Sequence, residues 1–116
     1  MKIVSIFKSD PQSRHPDEKM FEAMGKLIYE LTSSGALVDT GGALDEGFSA
    51  SVRRTGGDIR VTDGPFTESK EIVGGFAIFE VKSKEEALEY TRRFLEIAGD
   101  GTCDLHEVGE TPKFGT

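Results

Sequence analysis

The chain has 116 residues, 36% hydrophobic and 30% charged, with eight Phe and no Trp, which is near the size of one domain and apolar enough for one packed core. Asp and Glu outnumber Lys and Arg by 21 to 14, giving a formal charge of −7; with no basic cluster to interrupt it, such a surface repels polyanions, so neither nucleic acid nor an anionic membrane is expected as a partner. Cys103 is the single cysteine, which excludes an intramolecular disulfide and fits a reducing cytoplasm.

Residues 2 to 8 are β-branched and aromatic but reach Lys8 and Asp10 too soon for a signal-peptide core or a membrane span, so they predict a first strand. Pro11 and Pro16 break the chain after it. From Asp17 to Ser34, Met20, Met24, Leu27, Ile28 and Leu31 recur at three- and four-residue spacings, the pattern of an amphipathic helix, with Asp17 and Glu18 at its positive end and Gly35 as a left-handed cap. Residues 36 to 44 predict a strand with a bulge near Gly41-Gly42. Residues 50–54 and 59–62 flank Thr55-Gly56-Gly57-Asp58, a hairpin turn, and Asp63-Gly64-Pro65-Phe66 is a second turn. Residues 72 to 81 carry the strongest strand signal, placed centrally in a sheet. Ser83 and Glu86 form a capping box ahead of a second helix whose inner face is Ala87, Thr91, Phe94, Leu95 and Ala98, ending at Gly99. A last strand spans 103 to 108, and 109–116 reads as a tail.

This order, β-α-β, a hairpin insertion, then β-α-β, predicts one α+β domain over 1–108 of the ferredoxin-like split βαβ type. Right-handed crossovers place both helices on one face of the sheet. The strands are nonetheless apolar on both sides, with Ile3, Ser5 and Phe7 alternating with Val4 and Ile6, and Phe76 and Ile78 alternating with Ala77 and Phe79. At about 25 cal/mol per Å² of apolar surface, leaving the second face wet forfeits several kcal/mol, so a homodimer packed sheet against sheet is expected.

The run Val61-Thr62-Asp63-Gly64-Pro65-Phe66-Thr67-Glu68-Ser69-Lys70-Glu71-Ile72-Val73-Gly74-Gly75-Phe76 resembles the signature of the DGPF subgroup of the YCII-related family. The likeness covers nearly the whole chain, including Gly35-Ala36-Leu37-Val38 and Ser83-Lys84-Glu85-Glu86-Ala87. It implies a ferredoxin-like domain of the dimeric α-β barrel type. Relatives include uncharacterised bacterial proteins, some associated with extracytoplasmic-function sigma factors, and a few linked to lyase-type removal of chloride from aromatic rings. Those proposed to be enzymes are suspected of using a His and Asp pair with the His on the first helix; here no His lies between Asp17 and Ser34, and His15 precedes the helix.

Two readings attach to each candidate site residue. In the signature, Asp63, Glu68 and Lys70 form the polar walls of a pocket set by the Gly64-Pro65 turn, with Phe66 as an apolar lid and Arg53 able to hold an anionic group. The structural alternative has Asp63 capping a turn, Phe66 anchoring it, and Glu68 and Lys70 in surface pairs worth under about 1 kcal/mol. His106 shares a strand face with Asp104 and is a proton-transfer candidate or an exposed edge residue. Cys103 and His106 point to opposite faces, so no metal site is expected. Ser5 and Glu80 are polar residues on apolar strands, and a Glu in an apolar pocket suits acid or base work. The pairs Gly41-Gly42, Gly56-Gly57 and Gly74-Gly75 lack the Lys-Ser/Thr ending of a phosphate loop and read as bulges and turns. The reading adopted is a homodimeric small-molecule-binding domain without cofactor, its pocket near the sheet interface and the 63–70 loop. The alternatives are a lyase or isomerase using His106, Asp63 or Glu80 on a small organic acid or oxygenated ring, and a regulatory protein-interaction module.

Overall fold

The computed structural model describes residues 1–10, 16–43, 47–64 and 72–110. Pro65, Phe66, Glu68, Lys70 and His15, together with most of the predicted tail, lie outside the described residues.

The elements are β1 (Lys2–Ser9), α1 (Glu18–Ser33), β2 (Leu37–Gly42), β3 (Ala50–Thr55), β4 (Asp58–Asp63), β5 (Ile72–Glu80), α2 (Lys84–Ala98) and β6 (Thr102–Glu107). Four strands form one sheet in the order β2-β5-β1-β6, every neighbouring pair antiparallel. Each helix therefore connects two strands that have one strand between them, the ferredoxin-like split βαβ arrangement expected from the sequence. The hairpin insertion is a separate two-stranded ribbon of β3 and β4.

Helix starts follow their caps. Asp17 is extended and its carboxylate accepts from the Met20 amide at 2.8 Å, while the Ser83 hydroxyl accepts from the Glu86 amide at 3.2 Å. Each cap satisfies one of the orphan amides of its helix's first turn. The Glu86 carboxylate accepts from the Tyr90 hydroxyl one turn on, at 3.2 Å. Gly35, at φ +84°, adopts the left-handed conformation that ends α1. Gly56 and Gly57 both have positive φ, as a two-residue hairpin loop that follows the strand twist requires.

The register sets which side chains meet. Ile3 pairs with Phe79, Ser5 with Ala77 and Phe7 with Gly75, all facing the helices, and Val4 pairs with Ile78 and Ile6 with Phe76 on the outer face. Ile3, Leu37, Phe79 and Val81 from the sheet join Leu27 and Leu31 of α1 and Ala87 of α2 in the buried core. Phe7 meets Phe94 edge to face, with ring centres 5.0 Å apart. Across the helix layer Arg93 donates both guanidinium nitrogens to Glu30, at 2.6 and 3.0 Å, tying α2 to α1 near the carboxyl end of the latter.

The bulge predicted in β2 falls earlier, between Leu37 and Asp39, and Gly41-Gly42 is ordinary paired strand; β5 carries its own register shift opposite Phe7 and Lys8, at Gly74. A Cβ on Gly75 would sit 2.6 Å from the Gly41 carbonyl oxygen, so β2 and β5 approach closely here only without that side chain. Gly75→Ala is expected to cost about 2 kcal/mol or more in chemical denaturation, because backbone must move. Gly42→Ala, whose Cβ would find only ordinary contact at 3.7 Å, is expected to stay within about 1 kcal/mol of the parent.

Glu30 supplies a pH signature. Its hydrogen bond to Arg93 holds the carboxyl below its usual value. A carboxyl depressed in the folded state contributes stability above its unfolded value and loses it as pH falls through the folded one. Thermal melts of Glu30→Gln and the parent should therefore converge as pH falls below the ordinary carboxylate range.

Candidate functional site

The inner face of the sheet mixes large and small side chains. At one end Ile3, Leu37, Phe79 and Leu105 fill the space beneath the helices. Toward the other end Phe7 faces inward against Phe94, and beside it stand the small inward residues Ser5, Ala77, Gly75, Gly42 and Cys103, joined by Thr40, neighbours in register: Ser5 with Ala77, Ala77 with Thr40, and Gly75 with Gly42. α1 cannot drop onto this bare floor, because Leu27 and Leu31 are locked in the core and Glu30 is tied to Arg93.

The result is a cavity of about 600 Å³ between the helices and the sheet, within the size range of small-molecule sites. Met20, Met24, Leu27, Ile28 and Leu31 line it from α1, and Tyr90, Thr91, Phe94 and Ala98 from α2. Phe21, 65% exposed, and Ile28 line it while still reaching solvent, so the mouth runs along that side of α1. Methionines suit such a wall because their flexible, polarisable side chains adapt to ligand shape.

Polar groups are few and mostly engaged. The Thr91 hydroxyl donates to the Ala87 carbonyl and the Thr40 hydroxyl to the Phe76 carbonyl, each at 2.8 Å, leaving their oxygens as acceptors. Ser5 is 5% exposed and bonds the Cys103 thiol. Among the described lining residues there is no carboxylate, imidazole, amine or guanidinium. Burial pushes the Cys103 thiol above its ordinary value, against the opposing bond from Ser5, so the thiol is protonated at neutral pH. Partial burial and the Glu86 carboxylate likewise push the Tyr90 phenol up. An uncharged ligand fits this lining, since an unpaired charge here would lose its hydration without gaining a counter-ion.

Four of the described candidates, His106, Glu80, Arg53 and Asp63, do not line the cavity. His106 is exposed on the outer face, opposite Val4. Glu80 pairs with Lys2 at the end of β5 and makes an ion pair with the Met1 amine at 3.0 Å. Strand spacing puts two strand widths, about 10 Å, between His106 and Glu80, beyond hydrogen-bond reach. Arg53 and Asp63 are exposed on the ribbon. Gly64 continues the ribbon's pairing, its amide donating to the Ser49 carbonyl at 2.8 Å, and a Cβ there would collide with the Ser49 side chain. Among the described residues no group of three His, Cys, Asp or Glu is placed to hold a metal, and no helix is long and apolar enough to cross a membrane.

Of the weighed polar residues, Ser5 lines the cavity. The residues that create it were legible only as an absence. Ser5, Gly75 and Ala77 occupy inward positions of otherwise apolar strands, and that small-residue alternation is the signal that finds the floor.

Cys103 reports on the cavity directly. Its alkylation by iodoacetamide should be slower at neutral pH than that of free cysteine and should accelerate only above the ordinary thiol value. Ser5→Ala should slow it further, by removing the bond that favours the thiolate.

The model of the YCII-related domain matches residues 1–103. An uncharacterised protein of Rhizobium meliloti (strain 1021) is 29% identical over 107 residues, covering 86% of each chain. Among solved structures, 5-chloro-2-hydroxyhydroquinone dehydrochlorinase (TftG) from Burkholderia phenoliruptrix AC1100, in complex with 2,5-dihydroxybenzoquinone, superposes with a TM-score of 0.61 at 16% identity, covering 96% of both chains. At that identity the likeness is one of fold.

Proposed function

The chain belongs to the YCII-related family, and we propose that it is a homodimeric small-molecule-binding protein whose ligand is a flat, uncharged, mostly apolar molecule held between α1, α2 and the sheet. Within the family we assign it to the DGPF subgroup on Asp63-Gly64-Pro65-Phe66. One observation carries the binding reading: a cavity of about 600 Å³ walled by apolar side chains over a floor of Ser5, Gly42, Gly75 and Ala77. Where Gly42 faces Gly75 neither strand raises a side chain, so a ring can lie flat against backbone. The Ser5, Thr40 and Thr91 oxygens offer a few directional contacts to its substituents. Support for the homodimer is the outer face, where Phe76 and Val73 are 41% and 49% exposed beside Val4, Ile6 and Ile78.

A lyase acting on an oxygenated ring is the second reading. The dehydrochlorinase shares the fold over 96% of both chains and is seen with a quinone, a flat ring of the size this cavity admits. Binding stands ahead of it because His106, Asp63 and Glu80 do not line the cavity.

The test is a titration with two flat, uncharged ligands, Nile red and hydroquinone, using the parent and Gly42→Leu. The Gly42 side chain position points to the cavity and its nearest neighbour is 3.7 Å away, so Leu fills the space. The variant should keep its melting temperature and bind at least about tenfold more weakly. Equal binding by a folded Gly42→Leu rejects the site. Chloride release from a chlorinated hydroquinone, followed with an ion electrode, would move the assignment to the lyase.

A further inference from the structure

The hydroxyls of the cavity lining are oriented before any ligand enters. Thr91 is 6% exposed and gives its proton to the Ala87 carbonyl at 2.8 Å, one turn back along α2. Thr40, exposed on the edge strand β2, gives its proton to the Phe76 carbonyl of β5, also at 2.8 Å. The Tyr90 phenol gives its proton to the Glu86 carboxylate. Ser5 and Cys103 bond one another, so one of their two protons stays between them. Ser5 and Thr91 are two of the three buried polar residues among those described, and both line this cavity.

A hydroxyl has one proton to give and two lone pairs to receive with. Once the proton is committed, the same oxygen can only accept. A ligand carbonyl or ether reaching Thr91 would have to break the bond to Ala87 to make its own, exchanging one bond for another in a buried setting. A ligand O–H or N–H keeps that bond and adds a second to the same oxygen. The floor supplies no ready substitute, because the amides of β5 point sideways to β1 and β2 in the ladders of the sheet. The spare proton of the Ser5 and Cys103 pair is the one side-chain donor left among the described lining residues.

We propose that the cavity selects hydrogen-bond donors: its ligand is a flat aromatic molecule bearing an uncharged O–H or N–H, held in preference to the matching ether or carbonyl, with the Thr91 oxygen as the deep acceptor and the Thr40 oxygen as the outer one. The inference rests on the binding reading above and names the chemistry that the ligand carries.

Titration with 2-naphthol and 2-methoxynaphthalene tests it, followed by their own fluorescence in a chain without Trp. Both are flat and uncharged at neutral pH, and a cavity of about 600 Å³ has room for the added methyl. Apolar burial alone ranks the ether first. Donor selection reverses the order, the parent binding 2-naphthol at least about tenfold more tightly. Thr91→Val should bring the two Kd values to within about threefold, weakening 2-naphthol and sparing the ether. Thr91→Ser, whose hydroxyl still reaches back to the Ala87 carbonyl, should restore the preference. Thr40→Val, at an exposed position where folding is not at stake, should lower the preference by at least about threefold. Nile red, which carries no donor, should bind the parent and all three variants alike, reporting that the cavity is intact. A parent that binds Nile red but holds the ether as tightly as 2-naphthol, or a preference that survives in every folded Val variant, overturns donor selection and leaves the cavity reading in place. If neither Nile red nor either naphthalene binds, the two fall together.

Discussion

Where Gly42 of β2 faces Gly75 of β5, two neighbouring strands meet with no side chain on the inner surface. The backbones come so close that even one methyl on Gly75 would strike the Gly41 carbonyl oxygen. That approach leaves bare backbone beneath the helices beside the inward ring of Phe7. On the outer surface the Phe76 ring lies over Gly41, since a Cβ there would meet the ring at 2.8 Å, so an aromatic group covers from one side the backbone that glycine exposes. The bulge at Gly74 and the small residues Ser5 and Ala77 extend the same bare patch.

A void of this kind persists only if something keeps the roof up. Leu27 and Leu31, buried at 6% and 4% exposure, anchor the second half of α1, and the paired bonds from Arg93 to Glu30 tie the same half to α2. The first half, carrying Met20 and Met24, then spans open space with flexible side chains.

The two faces of the sheet thus have separate tasks. The inner face, with the helices, builds the cavity, and Cys103 and Ser5 belong to it. The outer face, with His106, Asp104 and Asp39, is apolar at its centre and charged at its rim. Period-two alternation assigns consecutive residues of β6 to these different environments, which is why Cys103 and His106 are neighbours in sequence and have no chemistry in common.

Local physics was enough to read the elements. Apolar spacing in 17–34, the Asp17 and Ser83 caps, the positive-φ glycines at 35, 56 and 57 and the β-branched run of 72–81 each act through contacts a few residues apart, and the split βαβ order follows from their succession. The pairing of Gly42 with Gly75 joins strands more than thirty residues apart and depends on register shifts at Leu37/Asp39 and at Gly74, so a glycine pair that reads locally as a turn became a cavity floor. The same holds for Asp63, Glu80 and His106: residue type marked them as candidates, and only the fold decided that none of them lines the cavity. Sequence determines what each segment prefers, because those preferences are local; which side chains converge is decided by tertiary register, where a shift of one residue turns a whole strand over.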